Sequence, residues 1–248
     1  MGKHPLISRV LKGAFNERPP QPKYTAVWQV DSVLDWFKSI GPSASLSLQT
    51  LTMKTAMLLA LTRPCRGADL AALDLNHRSF VPEGVVFRPT HLSKQSRPSH
   101  HGVEFFFPQF KDDVLLCPVE TLKAYERQTG KFRKGQDTAR SRLFLSLVGK
   151  HSPVCSSTIA RWLKSCLHKA GVDTSVFKAH STRAASSTKA AMVGMTVEEI
   201  IQVADWSGKG VFQKFYYRPK HSLAYGSKVL ATGASKSHVD METEPSEI

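Results

Sequence analysis

The stretch from Leu48 to Leu61, LQTLTMKTAMLLAL, most constrains what this chain can become. Its apolar residues, among them Leu51, Met57, Leu58 and Leu59, fall on every side of a helix rather than on one stripe. A helix that is apolar all round must be wrapped by other elements. The stretch is too short to cross a bilayer, which takes about 20 apolar residues, and Arg63-Pro64 closes it. Other parts of the chain must therefore supply its cover. At 248 residues, 41% of them hydrophobic, the chain is long enough to do so.

The rest of the chain supplies mainly helices. Val30, Val33, Leu34 and Phe37 recur at helical spacing before Gly41-Pro42. A short helix is predicted from Gly67 to Leu75, and another from Pro118 to Gln128. Ser156–Ala170 carries Ile159, Leu163 and Leu167 on one face, with Gly171 as its stop. Residues 180–193, rich in Ala, Ser and Thr, suit a tightly packed helix. Thr196 and Glu199 form a capping box before Ile200, Ile201 and Val203. A last helix is predicted over Val211–Tyr217. The period changes at Val85–Phe87 and Val103–Phe107, which read as two strands of a hairpin with a long polar tip. Leu143–Leu147 reads as a further short strand. The fold class is α+β, mainly α, with a small antiparallel sheet.

Charge narrows the partner. Lys and Arg total 34 against 20 Asp and Glu, a net of +14. From Tyr125 to Leu230 there are 18 basic and 6 acidic residues, a net of +12, whereas the tail carries Asp240, Glu242, Glu244 and Glu247. Such a body fits a polyanionic partner, most simply nucleic acid. Cys65, Cys117, Cys155 and Cys166 are widely spaced and read as free thiols of an intracellular protein, and no Cys/His pair has zinc-ligand spacing. The N-terminus has no continuous apolar core of a secretory signal.

Chemistry-bearing residues lie in order along this basic body. Arg66 follows the apolar helix in TRPCRGADLAALDL, with Arg63 as its competitor. Lys94 sits at the hairpin tip in HLSKQS. His180 and Arg183 form H-x-x-R in AHSTRAA, and Trp206 and Tyr216 lie in ADWSGKGVFQKFYYRP, with Tyr217 beside the latter. In this order and context, residues 25–220 resemble the catalytic domain of the tyrosine recombinase (phage integrase) family. The lead-in HPLISRVLKGAFNERPP and the segment from Trp206 to FYYRP look most like DIRS-type mobile-element recombinases. In that family an Arg closes one helix, a Lys lies on a β-hairpin, and H-x-x-R opens a buried helix. A His or Trp and then a Tyr follow. The resemblance therefore implies Arg66, Lys94, His180, Arg183, Trp206 and Tyr216 as catalytic residues, with Asp69 as the acidic residue three after the first Arg. It implies DNA strand cleavage and rejoining through a 3′-phosphotyrosyl intermediate, with no cofactor and no metal. The partners it implies are double-stranded DNA and further copies of the chain, up to a tetramer on paired sites, with no membrane and a nuclear location if the host is eukaryotic. The alternative is a DNA-binding descendant that has lost catalysis. Three segments are expected: a proline-punctuated lead-in over 1–24, the catalytic domain over 25–220, and a polar, disordered tail over 221–248. Family members usually carry a separate N-terminal DNA-clamping domain, so this chain reads as a fragment or a degenerate copy.

Overall fold

The computed structural model describes residues 4–19, 26–90, 103–133, 141–206 and Gly210. At its centre is helix α3, Leu48–Thr62, the all-round apolar stretch. Ser47 caps it, its hydroxyl accepting from the Thr50 N–H at 3.3 Å. Arg63 leaves the helix in extended geometry, as the residue before a proline must. Ten consecutive residues, Leu51 to Ala60, are buried, Lys54 among them. The Lys54 ammonium donates to the Gly41 carbonyl at 3.3 Å, and burial pulls its pKa down to about 8 despite the nearby Asp113 carboxylate.

The cover is supplied by α2 (Val30–Ser39), α5 (Pro118–Thr129), α6 (Ser156–Lys169) and α7 (Ser181–Met192); of these, α5, α6 and α7 pack on α3 itself. Helix α4 (Gly67–Ala71) follows α3, and α8 (Val197–Ala204) lies against α7. The expected capping box opens α8, with the Thr196 hydroxyl accepting from the Glu199 N–H and the Glu199 carboxylate accepting from the Thr196 N–H. Within the predicted lead-in lies a helix, α1 (Pro5–Glu17), none of whose residues is buried.

The sheet has three antiparallel strands in the order β1 (Arg78–Val81), β2 (Gly84–Phe87), β3 (Phe105–Pro108). The two predicted strands are β2 and β3, paired Val85 to Phe107 and Phe87 to Phe105. The inward Phe87 and Phe107 rings meet edge to face at 6.1 Å. Gly84 is required here, because a Cβ would stand 2.3 Å from the Phe107 carbonyl oxygen.

Several expectations are corrected. Strand β1 has no counterpart among the strands predicted from the sequence. The run over 143–147 is no strand; an isolated bridge from Leu145 to Pro153 lies within it, and another, Arg142 to Asp74, lies just before it. It is apolar because Leu143, Phe144 and Leu145 are all buried, and the Arg133 guanidinium donates to the carbonyls of Arg142 and Leu143, each at 2.6 Å. The helix expected to reach Leu75 ends at Ala71, and Leu75–His77 is a separate 3-10 turn. The predicted helix over 211–217 and the tail over 221–248 lie outside the described residues. No described helix is long and apolar enough to cross a membrane.

Candidate active site

Where α3 stops, the chain places two arginines in different surroundings. Arg63 is buried, its guanidinium 4.7 Å from the centre of the Phe105 ring. Burial lowers its pKa, and Cys65, Asp205 and Asp69 oppose that shift. Arg66 is only partly covered and stands at the N-cap of α4, where its N–H donates to the Asp69 carboxylate at 2.7 Å. Asp69, three residues on, thus fixes the backbone that carries the Arg66 side chain. Gly67 brings this corner against the start of α6, since a Cβ there would meet the Ser156 carbonyl oxygen at 3.3 Å.

Arg66 opens onto a cleft of about 300 Å³. His180 and Arg183 line the same cleft from the start of α7, and Ser156 and Ser157 line it from the start of α6. His180 is exposed and Arg183 is 4% exposed. The H-x-x-R spacing puts both on the first turn of one helix, one at its mouth and one beneath it. The Arg183 guanidinium lies 5.4 Å from the centre of the Trp206 ring, which caps a small cluster of Ile200 and Ala204. Trp206 therefore reaches the cleft through Arg183. Its placement depends on the left-handed Asp205 that ends α8.

The electrostatics favour an anion. Two guanidinium groups face a cleft into which the positive ends of the α6 and α7 dipoles also point. The α7 first-turn N–H groups of Ser181, Thr182 and Arg183 turn back onto the carbonyls of 178–180. At the start of α6 the Thr158 N–H likewise meets the Cys155 carbonyl, at 3.1 Å. Cys65, also on the cleft wall, is a neutral thiol: burial, reinforced by Asp69, pushes its pKa up to about 12. Among the described residues no three His, Cys, Asp or Glu side chains gather into a metal site.

Of the six residues singled out from the sequence, the structure brings Arg66, His180 and Arg183 to one cleft and sets Trp206 behind Arg183. Lys94, Tyr216 and its competitor Tyr217 lie outside the described residues. Arg66, not Arg63, is the arginine that shares the cleft with His180 and Arg183. Sequence reasoning missed Thr182, Ser156 and Ser157 as cleft residues. The only available signal was their position, one inside H-x-x-R and two at a helix start.

No protein-family model and no curated protein sequence matches the chain, but solved structures do. The XerA recombinase superposes with a TM-score of 0.56 at 18% identity, over 85% of this chain and 64% of its own. The XerH site-specific recombinase bound to its difH substrate gives 0.57 at 8% identity, over 86% of this chain and 55% of its own. A lambda integrase fragment, a dimer bound to a core site, gives 0.50 at 15% identity, over 88% and 76%. The chain thus spans about two thirds of XerA and just over half of XerH. The architecture, mainly helical with a three-stranded antiparallel sheet, is the tyrosine recombinase catalytic-domain fold.

Proposed function

We propose that this chain cuts and rejoins DNA strands as a tyrosine recombinase of the DIRS-type mobile-element kind. The observation that carries the reading is the convergence of Arg66, His180 and Arg183 on one cleft. Two guanidinium forks match the planar geometry of phosphate oxygens and supply charge that needs no proton transfer. In the proposed reaction they hold the non-bridging oxygens of the scissile phosphate, with His180 as a further donor and Trp206 supporting Arg183 from behind. The Tyr216 oxygen attacks phosphorus and loses its proton to solvent, a phosphotyrosyl bond forms, and the bond to the 5′ oxygen breaks. Lys94 gives that oxygen its proton. Attack by a 5′ hydroxyl on the phosphotyrosine reverses the step and reseals a strand, so the phosphodiester energy is kept and no nucleotide triphosphate is consumed.

The partners follow from the same reading. XerH is described as bound to its difH substrate, and lambda integrase as a dimer bound to a core site. For this chain the proposed partners are double-stranded DNA and further copies of itself on paired sites.

Covalent trapping tests the reading. The protein is incubated with nicked duplex DNA, denatured, and resolved for a DNA-linked band. The band is expected with the wild-type chain and with Tyr217→Phe, and absent with Tyr216→Phe although DNA binding persists. The reverse pattern moves the nucleophile by one residue. A band surviving both changes, or never formed by the wild type, defeats the mechanism and leaves a DNA-binding descendant without catalysis.

A further inference from the structure

The geometry points to Thr182 as a further phosphate-binding residue of the cleft, its hydroxyl donating to an oxygen of the phosphate that Arg66 and Arg183 hold. This rests on the phosphate reading of the site and extends it to a residue between the two members of H-x-x-R.

Thr182 lines the cleft and is 1% exposed, yet its hydroxyl has no hydrogen-bond partner. That is unusual within this molecule. A threonine on a helix ordinarily returns its hydroxyl to the carbonyl four residues back. Thr52, Thr55, Thr62 and Thr129 all do so, onto Leu48, Leu51, Leu58 and Tyr125 at 2.6–2.8 Å. Buried Thr121, on α5, meets the Ser43 hydroxyl at 3.0 Å. For Thr182 the carbonyl four back is that of Lys178, ahead of the helix. It already accepts the Ser181 N–H at 2.9 Å and the Ser181 hydroxyl at 2.7 Å. Thr182 sits in the first turn, where the usual local partner is taken.

A buried hydroxyl left unmade is a standing cost to the fold. Arg66 and Arg183 on the same cleft have no lone pair to accept its O–H. A phosphate brings several acceptor lone pairs into the cleft. Threonine on a helix has two accessible χ1 rotamers, so its hydroxyl can turn to meet an incoming oxygen at little cost. The side chain is therefore poised for a ligand that accepts from the hydroxyl as well as from the guanidiniums.

Thr182→Val, which keeps shape and removes only the hydroxyl, tests this with two readouts. The first is the stabilisation of the protein by inorganic phosphate, followed by thermal unfolding across a phosphate titration. The second is the rate of covalent adduct formation on nicked duplex. Without phosphate the variant should melt at or above the wild-type temperature, because an unsatisfied polar group has been removed. Its apparent phosphate affinity should fall about tenfold, and its adduct rate by about tenfold or more, as for loss of one hydrogen bond to a charged group. Thr182→Ser should retain both. If Thr182→Val folds poorly, Thr182→Ser against Thr182→Ala makes the same comparison, since those two differ by the hydroxyl alone. Phosphate affinity and adduct rate within twofold of wild type would overturn the assignment. So would a wild-type protein that phosphate does not stabilise. A wild type that traps no DNA, yet shows the hydroxyl-dependent phosphate shift, would defeat strand cleavage and leave Thr182 as an anion-binding residue.

Discussion

Replacing Arg183 by Lys keeps the positive charge and removes the planar fork, so it separates charge from geometry. Arg183 is 4% exposed and lies 5.4 Å from the centre of the Trp206 ring, so the change touches both stability and the proposed chemistry. A desolvated cation–ring contact is worth about 1–2 kcal/mol, of which a lysine ammonium recovers part. A net loss of about 1 kcal/mol lowers the melting temperature of a chain this size by about 2–4 °C. The effect on strand cleavage should be larger. An ammonium cannot span two phosphate oxygens as a fork does. Loss of one preorganised donor to a developing charge costs about 10²–10³ in rate, or about 2.7–4 kcal/mol. Arg183→Lys should therefore melt a few degrees lower, bind duplex DNA nearly as well, and form the covalent adduct at least about a hundredfold more slowly. The assay pairs thermal unfolding with single-turnover trapping well below the melting temperature. An adduct rate within fivefold of wild type would refute the fork argument. A large fall in melting temperature with an unchanged rate would make Arg183 a prop for Trp206.

Lys94→Ala should cleave normal DNA about 10²–10⁴-fold more slowly. It should cleave a 5′-bridging phosphorothiolate at nearly the wild-type rate, because a thiolate leaves without a proton; rescue of Arg183→Ala as well would refute Lys94 as the acid. Duplex affinity should fall with salt at a log–log slope of about −0.9 per phosphate neutralised, and a flat dependence measured by fluorescence anisotropy would contradict the basic-face argument. Cys155 is exposed at the N-cap of α6, and hydrogen bonds led by that with the Ser157 hydroxyl draw its pKa down to about 6. Iodoacetamide should label it first. The rate should rise as pH climbs through about 6 and level off above, where the thiolate predominates, while Cys65 stays unlabelled with its pKa near 12. Mass spectrometry that finds Cys65 modified first would contradict the burial described here.

Helices were legible where period and caps agreed. The all-round apolar run gave α3, Pro118 marked the first residue of α5, and the Thr196–Glu199 pair marked α8. Strand β1 was hidden because its residues Arg78, Ser79, Phe80 and Val81 show no alternation, and the turn at Pro82-Glu83 looks like a loop. Leu143–Leu145 misled for the opposite reason, since apolar runs announce burial and burial here comes without a ladder. That a glycine opens α4 is explained only by the nearness of the Ser156 carbonyl. Thr182 was invisible because a hydroxyl in a run of Ala, Ser and Thr looks like packing. Its interest lies in a missing bond, which depends on what Ser181 does to the Lys178 carbonyl.

The two helix starts that face the cleft have a consequence for how rate should vary with acidity. Peptide dipoles hold no proton that water can remove in the working range of a protein, and a guanidinium keeps its own. The attraction that captures an anion in this cleft is thus a permanent property of the fold rather than a titratable one. Lys94 and Tyr216 are the groups that exchange protons in the proposed reaction. Acidity should then act on turnover and leave capture of the strand nearly constant. The profile of the catalytic step can be read as a record of proton transfer alone, uncontaminated by substrate falling off.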